Sequence, residues 1–334
     1  MQALLFFLLF FCLSGRVVVA NHSGCTENNS SLLATCAQRL EEHWNTAQSP
    51  AQTQIPGWSA AVSPDEHFIY VVTKSIYYKI AGRTSDLELM ISFDGSDRHP
   101  VAVTVAPDGL QLYVIVEDSE LECYLYVYQR ASITDLFTAN SKHELYIYAD
   151  ELLQDGMFLE YARAIAVSAD GLNIYVGCEV VHYTTTIVML AEFRRDKNTD
   201  AVTLEAVIAV ASFEAFLRGL IPGWGYLNVG DIVLSADGSF VYVSIPTVGS
   251  LLRIRRNTSL EVMPQPRENR LEYGYREALG MVCSSDNRHC YVSSYESGRI
   301  RVFNRNIING ELSLVQTVLG QRLPGRGHDV SFLL

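Results

Sequence analysis

The chain has 334 residues, 49% hydrophobic and 19% charged, with 37 acidic against 25 basic side chains and a net charge of −12. That is enough for one large domain or two small ones. It is too ordered in composition for a disordered tail and too polar for a bundle of membrane spans. With an acidic balance and no basic stripe, nucleic acid and anionic membrane surfaces are poor partners.

Residues 3–13, ALLFFLLFFCL, are apolar and uncharged, and shorter than the about 20 residues a spanning helix needs. Val18-x-Ala20 offers a small-residue cleavage site, so residues 1–20 read as a secretory leader and the mature chain would start near Asn21. The segment 21–56 follows, with an apolar stripe over LLATCAQRLEEHWN (32–45) that predicts a short helix. Without Cys12, six cysteines remain, an even number suited to an oxidising compartment. Cys25 and Cys36 are close in sequence. Cys283 and Cys290 flank the turn SSDNRH and would face each other across a hairpin, which leaves Cys123 and Cys178 as a pair. Sequons at Asn21, Asn28, Asn29 and Asn257 fit a secreted glycoprotein.

From residue 57 on, one grammar recurs five times: WSAAVSPDEHFIYVVT (58–73), VAVTVAPDGLQLYVIV (101–116), RAIAVSADGLNIYVGC (163–178), GDIVLSADGSFVYVSI (230–245) and LGMVCSSDNRHCYVSS (279–294). Each has an apolar strand, a turn containing Asp65, Asp108, Asp170, Asp237 or Asp286, and a strand with an x-Tyr-Val step. These aspartates read as structural turn residues that bond their own backbone. Third strands follow at 75–80, 124–130, 186–195, 250–256 and 299–305, and fourth strands at 87–93, 144–149, 202–210, 260–263 and 312–318. Spacings of 43, 62, 67 and 49 residues between aspartates are too long and uneven for a solenoid. A sandwich would not repeat one turn motif every fourth strand.

The fold class is therefore all-β, a β-propeller of four-stranded antiparallel blades over residues 57–334. Residues 327–332, GHDVSF, align with VGDIVL (229–234) as the inner strand of a partial sixth unit. Rings of five and of six units both fit.

These segments, with Phe193-Arg194-Arg195-Asp196 followed by Val202-Thr203-Leu204, resemble the repeats of the YVTN/lactonase-type β-propeller family. In unit three, Arg163 falls on an Arg and Glu179 on a Glu of the family's lactonase segment. Ala164 stands where the family carries His, and Cys178 where it carries Asn. The resemblance implies a substrate cleft at these positions, with Arg163 polarising a carbonyl and Glu179 or His328 activating water. Positions flanking the inner strands add Asn228, Asp231, Asp329, Glu117 and His99 as ligand-binding candidates. No metal site is predicted. Asp231, Asp329, Asn228 and Glu179 are the oxygen donors that a calcium ion would use if one bound. Arg253, Arg255 and Arg256 read as a solvated edge.

Three function classes follow. One is a secreted propeller that binds a small molecule or a secreted protein partner at the channel mouth. The second is a lactonase-like hydrolase using Arg163, Glu179 and His328. The third is a secreted oxidative enzyme of the luciferase type, which shares the length, leader and paired cysteines but offers no motif.

Overall fold

The computed structural model describes residues 9–13, 16–20, 59–80, 88–93, 97–119, 122–139, 142–146, 160–182, 185–211, 227–256, 260–263, 278–294 and 299–319. Outside these lie the helix expected over 32–45, the tail strand at 327–332 with His328 and Asp329, Cys25 and Cys36, and the sequons at Asn21, Asn28, Asn29 and Asn257. The described residues are all-β, with one 3-10 turn at Pro246–Val248 and no α-helix. No helix among them is long and apolar enough to cross a membrane.

Strands β1 (Leu9–Leu13) and β2 (Arg16–Ala20) pair as an antiparallel hairpin. Five antiparallel four-stranded sheets follow, one for each unit. Unit one holds β3 (Ser59–Val62), β4 (Phe68–Val72), β5 (Ile76–Ile80) and β6 (Glu88–Ile91). Unit two holds β7 (His99–Val105), β8 (Gln111–Glu117), β9 (Cys123–Gln129) and β10 (Lys142–Tyr146). Unit three holds β11 (Glu160–Val167), β12 (Asn173–His182), β13 (Thr185–Arg195) and β14 (Val202–Ala211). Unit four holds β15 (Ile232–Leu234), β16 (Phe240–Ile245), β17 (Ser250–Arg256) and β18 (Leu260–Met263). Unit five holds β19 (Ala278–Cys283), β20 (His289–Ser294), β21 (Arg299–Arg305) and β22 (Leu312–Leu319). First strands lie side by side in the order β3, β7, β11, β15, β19, so the sheets fan around one axis as propeller blades do. Two of the second strands, β8 and β16, are buried on both faces along their whole length. That is why they read as unbroken apolar runs rather than alternating ones.

The turn aspartates do what the repeat implied. The carboxylate oxygen accepts the N–H two residues on, at His67, Leu110, Leu172, Ser239 and Arg288, over 2.9–3.2 Å. In four units a serine two residues earlier, Ser63, Ser168, Ser235 or Ser284, donates its hydroxyl to the same oxygen at 2.5–2.6 Å. Burial pushes the carboxyls of Asp65, Asp170, Asp237 and Asp286 up, but these donors outweigh it and hold all four below the usual range. The next residue has φ between 58° and 73° in all five turns. Gly fills that place in three of them and Glu66 and Asn287 in the others.

At this turn end, arginines clasp successive units. Arg195, the last residue of the third strand of unit three, reaches Asp108 of unit two at 2.6 Å while also holding Asp200 at 2.6 Å. Arg305 of unit five holds Asp237 and the Tyr242 hydroxyl of unit four at 3.0 and 2.9 Å. Arg130 of unit two meets the Tyr70 hydroxyl of unit one at 3.2 Å. Arg256 of unit four bonds Asn173 Oδ1 of unit three at 2.7 Å and covers the Tyr175 ring. This corrects the expectation that Arg253, Arg255 and Arg256 form a solvated edge: Arg253 is buried, and Arg256 spans an interface. The tyrosines of the Tyr-Val steps, Tyr70, Tyr113, Tyr175 and Tyr242, are fully buried where these guanidiniums arrive.

Cys283 and Cys290 face each other across the β19–β20 pair and are bridged, with a Cα–Cα distance of 4.0 Å. The expected Cys123–Cys178 bridge is not formed. Both are buried thiols, on β9 and β12, within the apolar core shared by units two and three. The Ala162 N–H donates to Cys123 Sγ at 3.2 Å, and Cys178 Sγ points back to its own strand at Val176 O.

Candidate functional site at the axial mouth

Opposite the turns, each second strand ends beside the start of a first strand. There the structure gathers Glu117, Arg163 and Glu179, with His99 at the rim. The inner strand of unit three is bulged between Glu160 and Ala164, and Tyr161 adopts φ 51°. A bulge re-aims the residues around it. Here it leaves Arg163 exposed, with its guanidinium 5.3 Å from the Tyr161 ring centre, while its neighbours Ala162 and Ala164 are buried.

Glu179, at the register position opposite Glu160, is wholly buried. Its Oε1 accepts the Val229 N–H of unit four at 3.1 Å and lies 3.5 Å from Arg163 Nε. Its Oε2 has no hydrogen-bond partner among the described residues. Burial raises the carboxyl from about 4.5 to about 7; Arg163 and the Val229 N–H pull it down, and Glu117 pushes it further up. Glu117 repeats the pattern one unit back. It is buried, and His99 Nε2 lies 3.7 Å away. Burial again raises its carboxyl, against the pull of Arg163, and its Oε1 is also unpartnered among the described residues. One half-exposed guanidinium therefore serves two buried carboxyls from adjacent units.

Asp231 is spent differently. Its two oxygens accept N–H groups from Ile232 at 2.8 Å and from Met281 of unit five at 2.6 Å. Burial raises it to about 6 despite those bonds. Asn228 Oδ1 faces the Thr247 N–H at 3.3 Å. The described members of the calcium donor set thus have their oxygens committed to backbone, save Glu179 Oε2. No group of three His, Cys, Asp or Glu able to hold a metal occurs among the described residues. At the turn end, away from this mouth, a polar cavity of about 610 Å³ opens between units three and four, lined by Asp170, Glu192, Arg194, Glu205, Asp237 and Arg256 among others.

Sequence reasoning placed Arg163, Glu179, Glu117 and His99 at one rim. It missed that Glu179 and Asp231 each grip a backbone N–H of the following unit, as Ser59 Oγ does with Val103 N–H at 3.2 Å. Backbone donors leave no mark in a sequence. It also missed the clasping arginines, although Arg130, Arg195, Arg256 and Arg305 recur at one place at the end of the third strand in four of the five units, which was signal enough.

Solved structures share this architecture. The periplasmic gluconolactonase of Pseudomonas aeruginosa matches over 99% of both chains with a TM-score of 0.51 at 15% identity. A putative 6-phosphogluconolactonase from Bacteroides fragilis matches with a TM-score of 0.47 at 12% identity, over 79% of this chain and 85% of that one. The β-propeller domain of Cps50 (Swd1) from Myceliophteria thermophila gives 0.48 at 12% identity, over 80% and 75%. No protein-family model and no curated protein matches the chain. The fold is thus a β-propeller, as in that periplasmic protein. At this identity the likeness extends to the fold alone.

Proposed function

We propose that the chain is a lactonase-like hydrolase that opens a small cyclic ester at the axial mouth. The observation that carries this is Glu179: a buried carboxyl with one oxygen unpartnered among the described residues, titrating near 7 beside a half-exposed guanidinium. A base poised near neutral pH is what water activation needs. In the proposed step, Arg163 polarises the lactone carbonyl and Glu179 takes a proton from water. The water oxygen bonds to the carbonyl carbon, the ring C–O bond breaks, and the leaving alkoxide takes a proton, giving the hydroxy acid. His328, named from the sequence, is the third proposed member, and no metal is invoked. We further propose that the protein is exported; the apolar leader, the Cys283–Cys290 bridge and the fold shared with a periplasmic enzyme support this.

Hydrolysis of an unphosphorylated sugar lactone, followed by pH-stat, tests the reading. Arg163→Ala should lower kcat/KM by about 100-fold, the scale of removing one oxyanion donor. Unchanged turnover would remove Arg163 from catalysis. A second reading, a mouth that binds a ligand without chemistry, is favoured by the grip of Glu179 and Asp231 on the next unit, since that alone accounts for their buried carboxyls. Wild-type protein that binds the lactone without opening it would decide for this reading.

A further inference from the structure

Where the first strands enter from the mouth, the register slips in three units. β7 has one extra residue, Val101, between the pairs Pro100–Val116 and Ala102–Ile115. β19 has one, Leu279, between Ala278–Ser294 and Gly280–Ser293. β11 has two: Tyr161, Ala162 and Arg163 stand opposite Cys178 alone, between Glu160–Glu179 and Ala164–Gly177. A backbone outlier goes with this larger bulge. Among the described residues, Glu66, Tyr161, Asp200 and Asn287 have positive φ without being glycine. The other three lie between strands, whereas Tyr161, at φ 51°, is inside one and carries a bulky ring. That conformation is strained for such a residue, and strain of this kind persists where something depends on it.

What depends on it is Arg163. Its neighbours Ala162 and Ala164 are buried, yet Arg163 is turned out of the sheet and half-exposed. Its guanidinium lies 5.3 Å from the Tyr161 ring centre, and its Nε lies 3.5 Å from Glu179 Oε1. A half-exposed arginine otherwise spreads over many rotamers. We propose that Tyr161 is a positioning residue: its left-handed backbone aims Arg163 into the mouth, and its ring seats the guanidinium beside Glu179. The effect on turnover rests on the hydrolase reading above; the seating itself is measurable without substrate. Glycine takes φ 51° freely, so Tyr161→Gly removes the ring and keeps the bulge. Tyr161→Phe keeps the face on which the guanidinium packs.

Titration of the Glu179 carboxyl tests this, followed by carbon-13 NMR of the full chain labelled at its glutamate carboxyls, with the signal assigned by its loss in Glu179→Gln. The titratable groups facing that carboxyl are Arg163 from β11, Glu117 from β8 and Cys178 beside it on β12. Arg163 favours the ionised form, so a guanidinium that leaves its seat lets the midpoint rise. Tyr161→Gly should raise it by about half a pH unit and lower kcat/KM on the sugar lactone about fivefold, the scale of one cation–π contact. Tyr161→Phe should match wild type in both. On an Arg163→Ala background, Tyr161→Gly should change neither. If the Tm of Tyr161→Gly collapses, Tyr161→Asn, which also tolerates positive φ, takes its place. A midpoint that Tyr161→Gly leaves unmoved overturns the proposal. A Tyr161→Phe midpoint shifted as far as that of Tyr161→Gly overturns it too, as does a further shift on the Arg163→Ala background. A wild type that opens no lactone refutes the hydrolase reading, while the Glu179 midpoint still decides for or against Tyr161.

Discussion

Replacing Glu179 by Gln should make the protein more stable, and by an amount that depends on pH. The folded carboxyl titrates near 7 rather than near 4.5 because burial outweighs the pull of Arg163 and the Val229 N–H. A group whose folded pKa is raised favours the folded state only while it is protonated. As pH rises from 4.5 through 7, the unfolded chain ionises first, and the folded chain carries a growing penalty. Above pH 7 that penalty levels off at about 3 kcal/mol. Gln keeps an oxygen for the Val229 N–H and has no charge to bury. Glu179→Gln should therefore gain about 3 kcal/mol over wild type at pH 8, and less than about 1 kcal/mol at pH 5. In a domain of this size, that corresponds to a Tm difference of about 6 °C at pH 8 that closes on acidification. Calorimetry of both proteins across pH 4.5–8 measures it. A variant destabilised equally at every pH would show that Glu179 is ionised and well paired in the fold, and the base assigned to it would fall. On the reading proposed here, the same substitution abolishes lactone turnover, so that the site holds a costly residue for use rather than for strength.

Other perturbations separate the remaining parts. Arg195→Met removes a buried guanidinium shared by Asp108 and Asp200, both partly exposed and able to rehydrate. Denaturant unfolding should show a loss of about 2–4 kcal/mol. Gly177→Ala would put a Cβ 2.8 Å from Val229 Cγ1, against the residue whose N–H Glu179 holds. Its Tm should drop by several degrees, and turnover should fall with it. Replacing Cys283 and Cys290 together by Ala opens a bridge of sequence separation 7, and should cost about 2 kcal/mol because so short a loop gains little from closure.

The repeat was legible because its turn is local chemistry. Asp170 and Ser168 bond within five residues of each other, and such bonds leave a fixed spacing in the sequence. Cys283 and Cys290 were legible for the same reason, since equal distance from a turn fixes their pairing. Cys123 and Cys178 were not. They sit in different sheets, and an even cysteine count says nothing of how two strands of neighbouring units are set. The mouth was half legible: strand ends located Glu117, Arg163 and Glu179. What raises the two carboxyls is their burial, and what Glu179 holds is an N–H group of the following unit. Tertiary packing decides both, and no spacing records them.

The bonds between units run in two directions at once. A unit's arginine reaches back to the turn of its predecessor, and its axial carboxyl or hydroxyl reaches forward to the backbone of its successor. Each repeat therefore carries one half of two different joints, and a copied repeat spliced in frame arrives with both halves. Gene duplication could lengthen or shorten such an array without inventing a new interface. Unit one breaks the rule at a single place: where the register of its third strand calls for the arginine, the sequence has Ala81. The first repeat has no guanidinium there to hand backwards, so it carries the forward joint alone.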